Sequence, residues 1–204
     1  MTDPLILAFD TSDAHCAVAL IRGDGLLASA QEPMAKGQAE RLMGLVEEVL
    51  AQADTPLQSL DAVAVGTGPG NFTGIRISIS AARGLALGLG VPAIGVTRFE
   101  ALEYGTSGPA LLCVDARRDM VFVQGSRTDT FAQPALAPIA EVMASGLPII
   151  GAHGTPPSLP VAEATARVGL GRWRAGDTGA PPRPLYLRAA DAAPARDAPP
   201  VIVS

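Results

Sequence analysis

A short apolar run, Ala62–Val65, leads straight into Gly66-Thr67-Gly68-Pro69-Gly70-Asn71-Phe72-Thr73-Gly74, and a long stretch rich in isoleucine, leucine and alanine follows. Few features restrict a fold as tightly. The run reads as a strand buried on both faces, the glycines as a tight turn, and Thr73–Leu89 as a helix packed back on the strand. That succession is the crossover half of an α/β unit. Glycine amides between a strand and a helix N-terminus also suit a bound anion. The loop is not a Walker A sequence, because Arg76 stands downstream of Gly74 and no Gly-Lys-Ser/Thr occurs in the chain. Its glycine spacing does not match the dinucleotide fingerprint either. Two readings stay open: a turn that seats the helix against the sheet, and a phosphate contact.

Upstream, Leu5–Phe9, Cys16–Ile21 and Leu26–Glu32 form three strand-like runs, the last two joined by the turn residues Arg22-Gly23-Asp24-Gly25. The chain therefore opens as an antiparallel meander. Leu42, Leu45, Val46, Val49, Leu50 and Ala53 then fall on one face of a helix from Gln38 to Ala53. Thr55-Pro56-Leu57-Gln58 and Thr97-Arg98-Phe99-Glu100 both have the form of a capping box, on either side of a strand at Ala93–Val96. Gly105–Pro109 breaks the chain. Beyond it, Ala110–Asp115 pairs with Met120–Gln124 through the polar turn Ala116–Asp119, and weaker signals follow for a helix at Ile139–Ala144 and a strand at Leu147–Ile150. From Ala180 the chain reads as extended, ending in a Pro/Ala tail. The expectation is two units, 1–106 and a smaller 107–204.

The helix opened by the glycine loop is apolar on nearly every side. Between Gly74 and Val91 its charged residues are Arg76 and Arg83, which form one narrow stripe with Ser80. A surface helix needs a broader polar face. Cover must come from the sheet and from a second body, either the helix Gln38–Ala53 or another protein chain. Apolar residues make up 48% and charged residues 17%, a balance consistent with covered surface.

The longest apolar runs are too short to span a bilayer, and the N-terminus lacks a basic region and a cleavage-like site, so a cytoplasmic protein without a membrane anchor is expected. Cys16 and Cys113 sit inside apolar runs and suit buried thiols. The net charge of −5 argues against nucleic-acid binding by the chain alone.

Candidate chemistry is sparse. Asp10-Thr11-Ser12 ends the first strand and could face a phosphate or form an ordinary Asx or Ser/Thr turn. His15 and His153 have no metal-ligand spacing and read as solvated loop histidines. Asp115, Arg117 and Arg118 read as a solvated turn, and Arg167, Arg172, Trp173 and Arg174 as surface and packing residues. No set of nucleophile, base and orienting group emerges, and no metal-ligand set.

Three segments resemble the TsaB (YeaZ) family, the accessory subunits of bacterial tRNA threonylcarbamoyladenosine synthesis: Ile6–Ser12, Ala64–Arg76 and Val114–Arg117. Pro184-Leu185-Tyr186-Leu187-Arg188 is similar to a short family element near the C-terminus. The resemblance implies an actin/sugar-kinase-like (ASKHA) α/β fold of two ribonuclease-H-like lobes, the C-terminal one reduced. Asp10, Thr11 and Ser12 then occupy the place where enzymes of that fold set a phosphate-facing carboxylate and hydroxyls. With Gly68, Gly70, Asn71 and Thr73 they are the candidate nucleotide or phosphate residues.

The family's paralogue TsaD carries the transferase chemistry with a metal held by two histidines on its first helix. The matching helix here runs Gly37-Gln38-Ala39-Glu40-Arg41-Leu42, without histidine. The resemblance therefore implies a subunit with no catalytic residues, metal or cofactor of its own, ATP and metal belonging to partner subunits. Its implied partners are TsaD, the TsaE ATPase and, through the complex, tRNA, with a homodimer when alone. The implied contact residues are Arg41, Leu42, Leu45, Val46 and Val49 on one helix and Ile75, Arg76, Ile79, Ala82 and Arg83 on the other. The alternative is a small-molecule kinase or ATPase of the same fold.

Overall fold

A computed structural model describes residues 3–188. The meander forms as β1 (Leu5–Asp10), β2 (His15–Arg22) and β3 (Gly25–Pro33), followed by α1 (Gln38–Gln52), β4 (Ala62–Gly66), α2 (Phe72–Leu89) and β5 (Ala93–Val96). These strands make a five-stranded sheet in the order β3-β2-β1-β4-β5. Pairing is antiparallel from β3 to β1 and parallel from β1 to β5. Then come α3 (Arg98–Glu103), β6 (Ala110–Asp115), β7 (Met120–Ser126), β8 (Ala135–Pro138), α4 (Ile139–Ala144), β9 (Ile149–Gly151) and α5 (Val161–Arg174). The second sheet has the order β8-β7-β6-β9, which repeats the first four positions of the larger sheet. Two lobes on one ribonuclease-H-like plan, the second cut short, constitute the ASKHA arrangement. The tail from residue 189 lies outside the described residues.

The continuous apolar run of β1 has a simple cause. Leu5, Leu7 and Phe9 point to one face of the sheet, where α1 and α2 cover them, whereas Ile6 and Ala8 point to the other. That second face is covered by α5, a helix the sequence reading missed. Ala166 and Leu170 pack beneath Ile6, Ala8 and Ala64. At Gly169 the absence of a side chain lets the helix approach Ala64 closely. The second unit expected over 107–204 thus returns its last helix to the first sheet.

Smaller differences also have physical reasons. Thr55 does not cap a helix. Its hydroxyl donates to the Ala53 carbonyl at 2.9 Å, and only a short 3-10 turn follows at Leu57–Ser59. The last strand begins at Ile149 rather than Leu147 because Leu111 N donates to the Pro148 carbonyl and parallel pairing starts from there. Thr97 and Glu100 do form the expected capping box, each side chain bonded to the other's backbone N–H.

Candidate functional site

At the end of β1 the Asp10 carboxylate is wholly buried. Its Oδ1 accepts from Ser12 N and Ser12 Oγ, both at 2.8 Å, and lies 2.8 Å from His15 Nε2. Arg98, the first residue of α3, brings Nη1 to 3.9 Å from the same oxygen and donates to Ser12 Oγ at 3.3 Å. Burial alone would raise the Asp10 carboxyl. The His15 bond, the Arg98 charge and the Ser12 amide outweigh it and hold the group at about 2.

His15 is therefore no solvated loop histidine. It starts β2, and the tight connection after Asp10 folds it back beneath the carboxylate. His153 does sit in an exposed turn, with φ 63.

The glycine loop wraps this turn. A side chain at Gly66 would strike the Asp10 carboxylate, one at Gly70 the Ser12 carbonyl, and one at Gly74 the Thr11 carbonyl. Asn71 N donates to Ser12 O at 2.6 Å, and Thr11 Oγ1 donates to Gly74 O at 2.7 Å. Asn71 Oδ1 accepts from Gly74 N at 3.0 Å and so caps α2. Most of the candidate phosphate set is thus consumed internally. Asp10, Thr11, Ser12 and Gly68 are buried, and the exposed Asn71 uses its backbone amide and its Oδ1 on Ser12 O and Gly74 N. Gly70 is partly accessible and Thr73 exposed. Gly66, Gly70 and Gly74 thus serve close packing of the loop on the β1 turn.

Between the lobes lies a cleft of about 560 Å³, lined among others by Asp13, Gln38, Phe72, Asp115, Arg117 and Tyr186. A strap at 184–188 crosses its side. Leu185 N donates to Thr67 O of the first lobe, Leu185 and Leu187 pack against the second lobe's core, and Arg188 donates to Ala116 O.

Comparison with known proteins agrees with this architecture. A family model described as TsaD, tRNA N6-adenosine threonylcarbamoyltransferase, matches residues 32–168. The tRNA threonylcarbamoyladenosine biosynthesis protein TsaB of Escherichia coli is 37% identical over 122 residues, 57% of this chain and 52% of that protein. A Mycobacterium tuberculosis relative with no functional name, Rv3421c, is 35% identical over 201 residues, 93% of this chain and 94% of its own. YeaZ from Pseudomonas aeruginosa superposes with a TM-score of 0.74 at 28% identity, covering 90% of this chain and all of that one. The chain belongs to the TsaB/YeaZ family. It spans about half the length of the Escherichia coli TsaB that it matches.

Within this TsaB-type fold the contact residues expected on the helices need correction. Leu42, Leu45, Val46 and Val49 of α1 pack in one core with Ile75, Ile79 and Ala82 of α2, each at most 5% exposed. The chain's own sheet and first helix thus cover the face of α2 that carries Ile75, Ile79 and Ala82. Substitutions such as Leu45→Glu or Ile79→Glu report on folding. Arg41 is partly buried and paired with Glu32 and Glu48. Of the expected set, Arg76 and Arg83 do reach the surface. Beside them Ser80 and Leu87 complete an outward stripe, with Leu87 86% exposed. Arg172 meets Glu100 and Arg174 meets Asp24, while Arg167 pairs with Glu163 of the same helix and donates to the Asp24 carbonyl at 3.0 Å, contacts that pin α5 in place as the packing role requires.

Both thiols are buried and free, and burial pushes each up to about 11. No helix among the described residues is long and apolar enough to cross a membrane.

The Asp10 network predicts an acid limb of stability. The carboxyl lies at about 2 in the fold against an ordinary 3.8. A depressed carboxylate stabilises the fold fully above its unfolded value and loses that contribution as pH falls towards the folded one. Urea titrations are expected to show a contribution of about 2 kcal/mol at neutral pH, lost between about pH 4 and about pH 2. Asp10→Asn removes that part of the acid limb. Asp24, Glu32 and Glu48 are also lowered by their arginine partners, but they are exposed and add little. An acid limb identical in Asp10→Asn and the unmodified chain would show that the carboxylate is not held this way.

Proposed function

We propose that this chain is a non-catalytic partner subunit in the synthesis of threonylcarbamoyladenosine in tRNA. It binds a TsaD-type transferase and, with it, a TsaE-type ATPase; tRNA reaches it through the complex, and alone it pairs with itself. One observation carries this reading: the carboxylate at the end of β1 is enclosed and held by Ser12, His15 and Arg98, so it cannot face a substrate. The outward stripe of α2 supports it, because an exposed leucine between arginines is the composition of an interface centre.

The test is co-expression with the cognate transferase and ATPase in a strain lacking this gene, with the modified nucleoside measured in bulk tRNA. Modification is expected with the full set and its loss when this chain is left out. Undiminished modification without the chain would sink the proposal.

The cleft supports a second reading, a small-molecule kinase or ATPase, since about 560 Å³ is a volume that small ligands occupy. That reading requires tight ATP binding by the isolated chain in calorimetry, and turnover that Asp10→Ala abolishes while the fold stays intact.

A further inference from the structure

The cleft between the lobes holds charge that the fold itself does not use. Asp115 and Arg117, at the end of β6, and Arg188, at the end of the strap, line it and are exposed. None of the three has an ion-pair partner among the described residues. Asp115 Oδ1 accepts from Arg117 N at 3.1 Å, and Arg188 Nη2 donates to Ala116 O at 3.3 Å. Asp115 Oδ2 and the Arg117 guanidinium make no hydrogen bond among the described residues. From the first lobe Asp13 adds a second carboxylate. Its Oδ1 accepts from Ala14 N at 2.7 Å, and Arg98 approaches Oδ2 only to 3.7 Å.

The turn that carries Arg117 has an uncommon backbone. Arg117, Arg118 and Asp119 are successive non-glycine residues with φ of 62, 54 and 57. Left-handed backbone is costly for such side chains, and segments held in it gather at ligand sites. In the first lobe Gln38 also lines the cleft, although the residue is only 8% exposed. Its Nε2 donates to Asp13 O at 3.0 Å and to Met34 O at 3.1 Å, so both amide hydrogens are spent. These two carbonyls fix which end of the amide is nitrogen. Gln38 Oε1 has no partner among the described residues, where Arg98 Nε is the sole fully buried side-chain nitrogen or oxygen in that condition. The Gln38 oxygen is therefore accessible, an open acceptor in the cleft wall. Phe122, Leu185 and Leu187 supply an apolar stretch of the same cleft.

We propose that the cleft binds a free amino acid with a large apolar side chain. Its carboxylate meets Arg117 and Arg188, and its ammonium meets Asp115, Asp13 and the Gln38 oxygen. Its side chain lies against Phe122 and Leu187. Charge balance selects this class, because two carboxylates and two guanidiniums suit a zwitterion. An α-amino acid carries both charges on one carbon, and Asp115 and Arg117 stand two residues apart in one turn. A nucleoside triphosphate would bring several negative charges towards Asp13 and Asp115. Its base would also need an open ring face. Phe72 in the cleft is already stacked by Tyr186, with centroids 4.7 Å apart, and lies 3.7 Å from the Arg76 guanidinium. The volume of about 560 Å³ leaves room for a bulky side chain. The site does not depend on the function proposed above, since every residue in it belongs to this chain.

The test is titration of the full chain with L-leucine, L-methionine and L-phenylalanine, one at a time, followed by NMR chemical shifts. At least one is expected to bind with Kd below about 1 mM. For that amino acid, Asp115→Asn and Arg117→Gln should each weaken binding about 10-fold or more. The corresponding α-hydroxy acid, which lacks the ammonium, should respond to Arg117→Gln and not to Asp115→Asn. The amino acid amide, which lacks the carboxylate, should show the reverse. Thermal midpoints should stay within a few degrees, because both substituted residues are exposed. No binding of any of the three, or unchanged affinity in either variant, overturns the inference. Equal affinity for the amino acid and its hydroxy acid would mark a simple anion site and overturns it too. ATP binding that Arg117→Gln abolishes would assign the cleft to a polyanion, with the same consequence.

Discussion

Asp10→Ala is expected to cost this protein its fold rather than an activity. Removing the carboxylate leaves Arg98, in a largely buried position, with only the half-exposed Asp13 carboxylate at 3.7 Å as an ion-pair partner; its Nε already lacks a partner. It also takes one acceptor from His15 and two donors' worth of bonding from Ser12. Breaking one side of a buried ionic network costs about 3–5 kcal/mol. Domains of this size have only about 5–15 kcal/mol of net stability. Urea unfolding should therefore show a midpoint well below that of the unmodified chain, with partial unfolding at body temperature. Asp10→Asn keeps the shape and part of the hydrogen bonding, and should fall between the two. A kinase using Asp10 at its phosphate site would give the reverse: an intact fold and no turnover. The two outcomes separate a structural carboxylate from a catalytic one without knowledge of any substrate.

The same contrast explains what was legible in the amino-acid sequence. The first lobe was readable because its signals are strong and local. β1 and β4 are short uninterrupted apolar runs, α1 has one clean stripe, and Thr97 with Glu100 spells its own cap. α5 was invisible for a physical reason. Its buried face is made of Ala162, Ala166, Gly169 and Leu170, which sit against Ala8, Ala17, Ala19 and Ala64. Small residues pack closely but give little hydrophobic contrast, and in an alanine-rich chain that contrast nearly vanishes.

The contact residues were misplaced for a related reason. Periodicity finds the stripe a helix buries in its own core, so Leu45 and Ile79 stood out while the outward Leu87 did not. His15 was readable only as one end of a hairpin. The usable signal was its spacing of five residues from Asp10 across a tight turn, which brings two titratable groups together at the end of one strand pair. Arg98 gave no signal beyond its place in the capping box; its approach to Asp10 depends on the Gly68 carbonyl, to which Arg98 N donates at 2.7 Å.

Two glycines on one helix should respond to the same substitution with opposite signs. Gly74→Ala places a methyl against the Thr11 carbonyl, and that carbonyl cannot retreat. Thr11 Oγ1 is bonded to Gly74 O at 2.7 Å, and the next carbonyl, Ser12 O, accepts from Asn71 N at 2.6 Å. The helix would have to lift away from β1, opening the packing of Ile75 over the sheet and loosening the turn that encloses Asp10. Overpacking against fixed backbone costs about 1–3 kcal/mol and occasionally more. The upper end, about 3 kcal/mol, is expected here because backbone meets backbone.

Gly84 lies ten residues further along α2, exposed, with nothing within 4 Å of a side chain built there. Gly84→Ala should stabilise the chain by about 1 kcal/mol, the helix-propensity difference between the two residues. Denaturant midpoints of the two variants, measured in parallel, test whether close approach of the loop to β1 requires these glycines. If Gly74→Ala is as stable as Gly84→Ala, the glycines are not there for packing, and the phosphate reading of the loop returns.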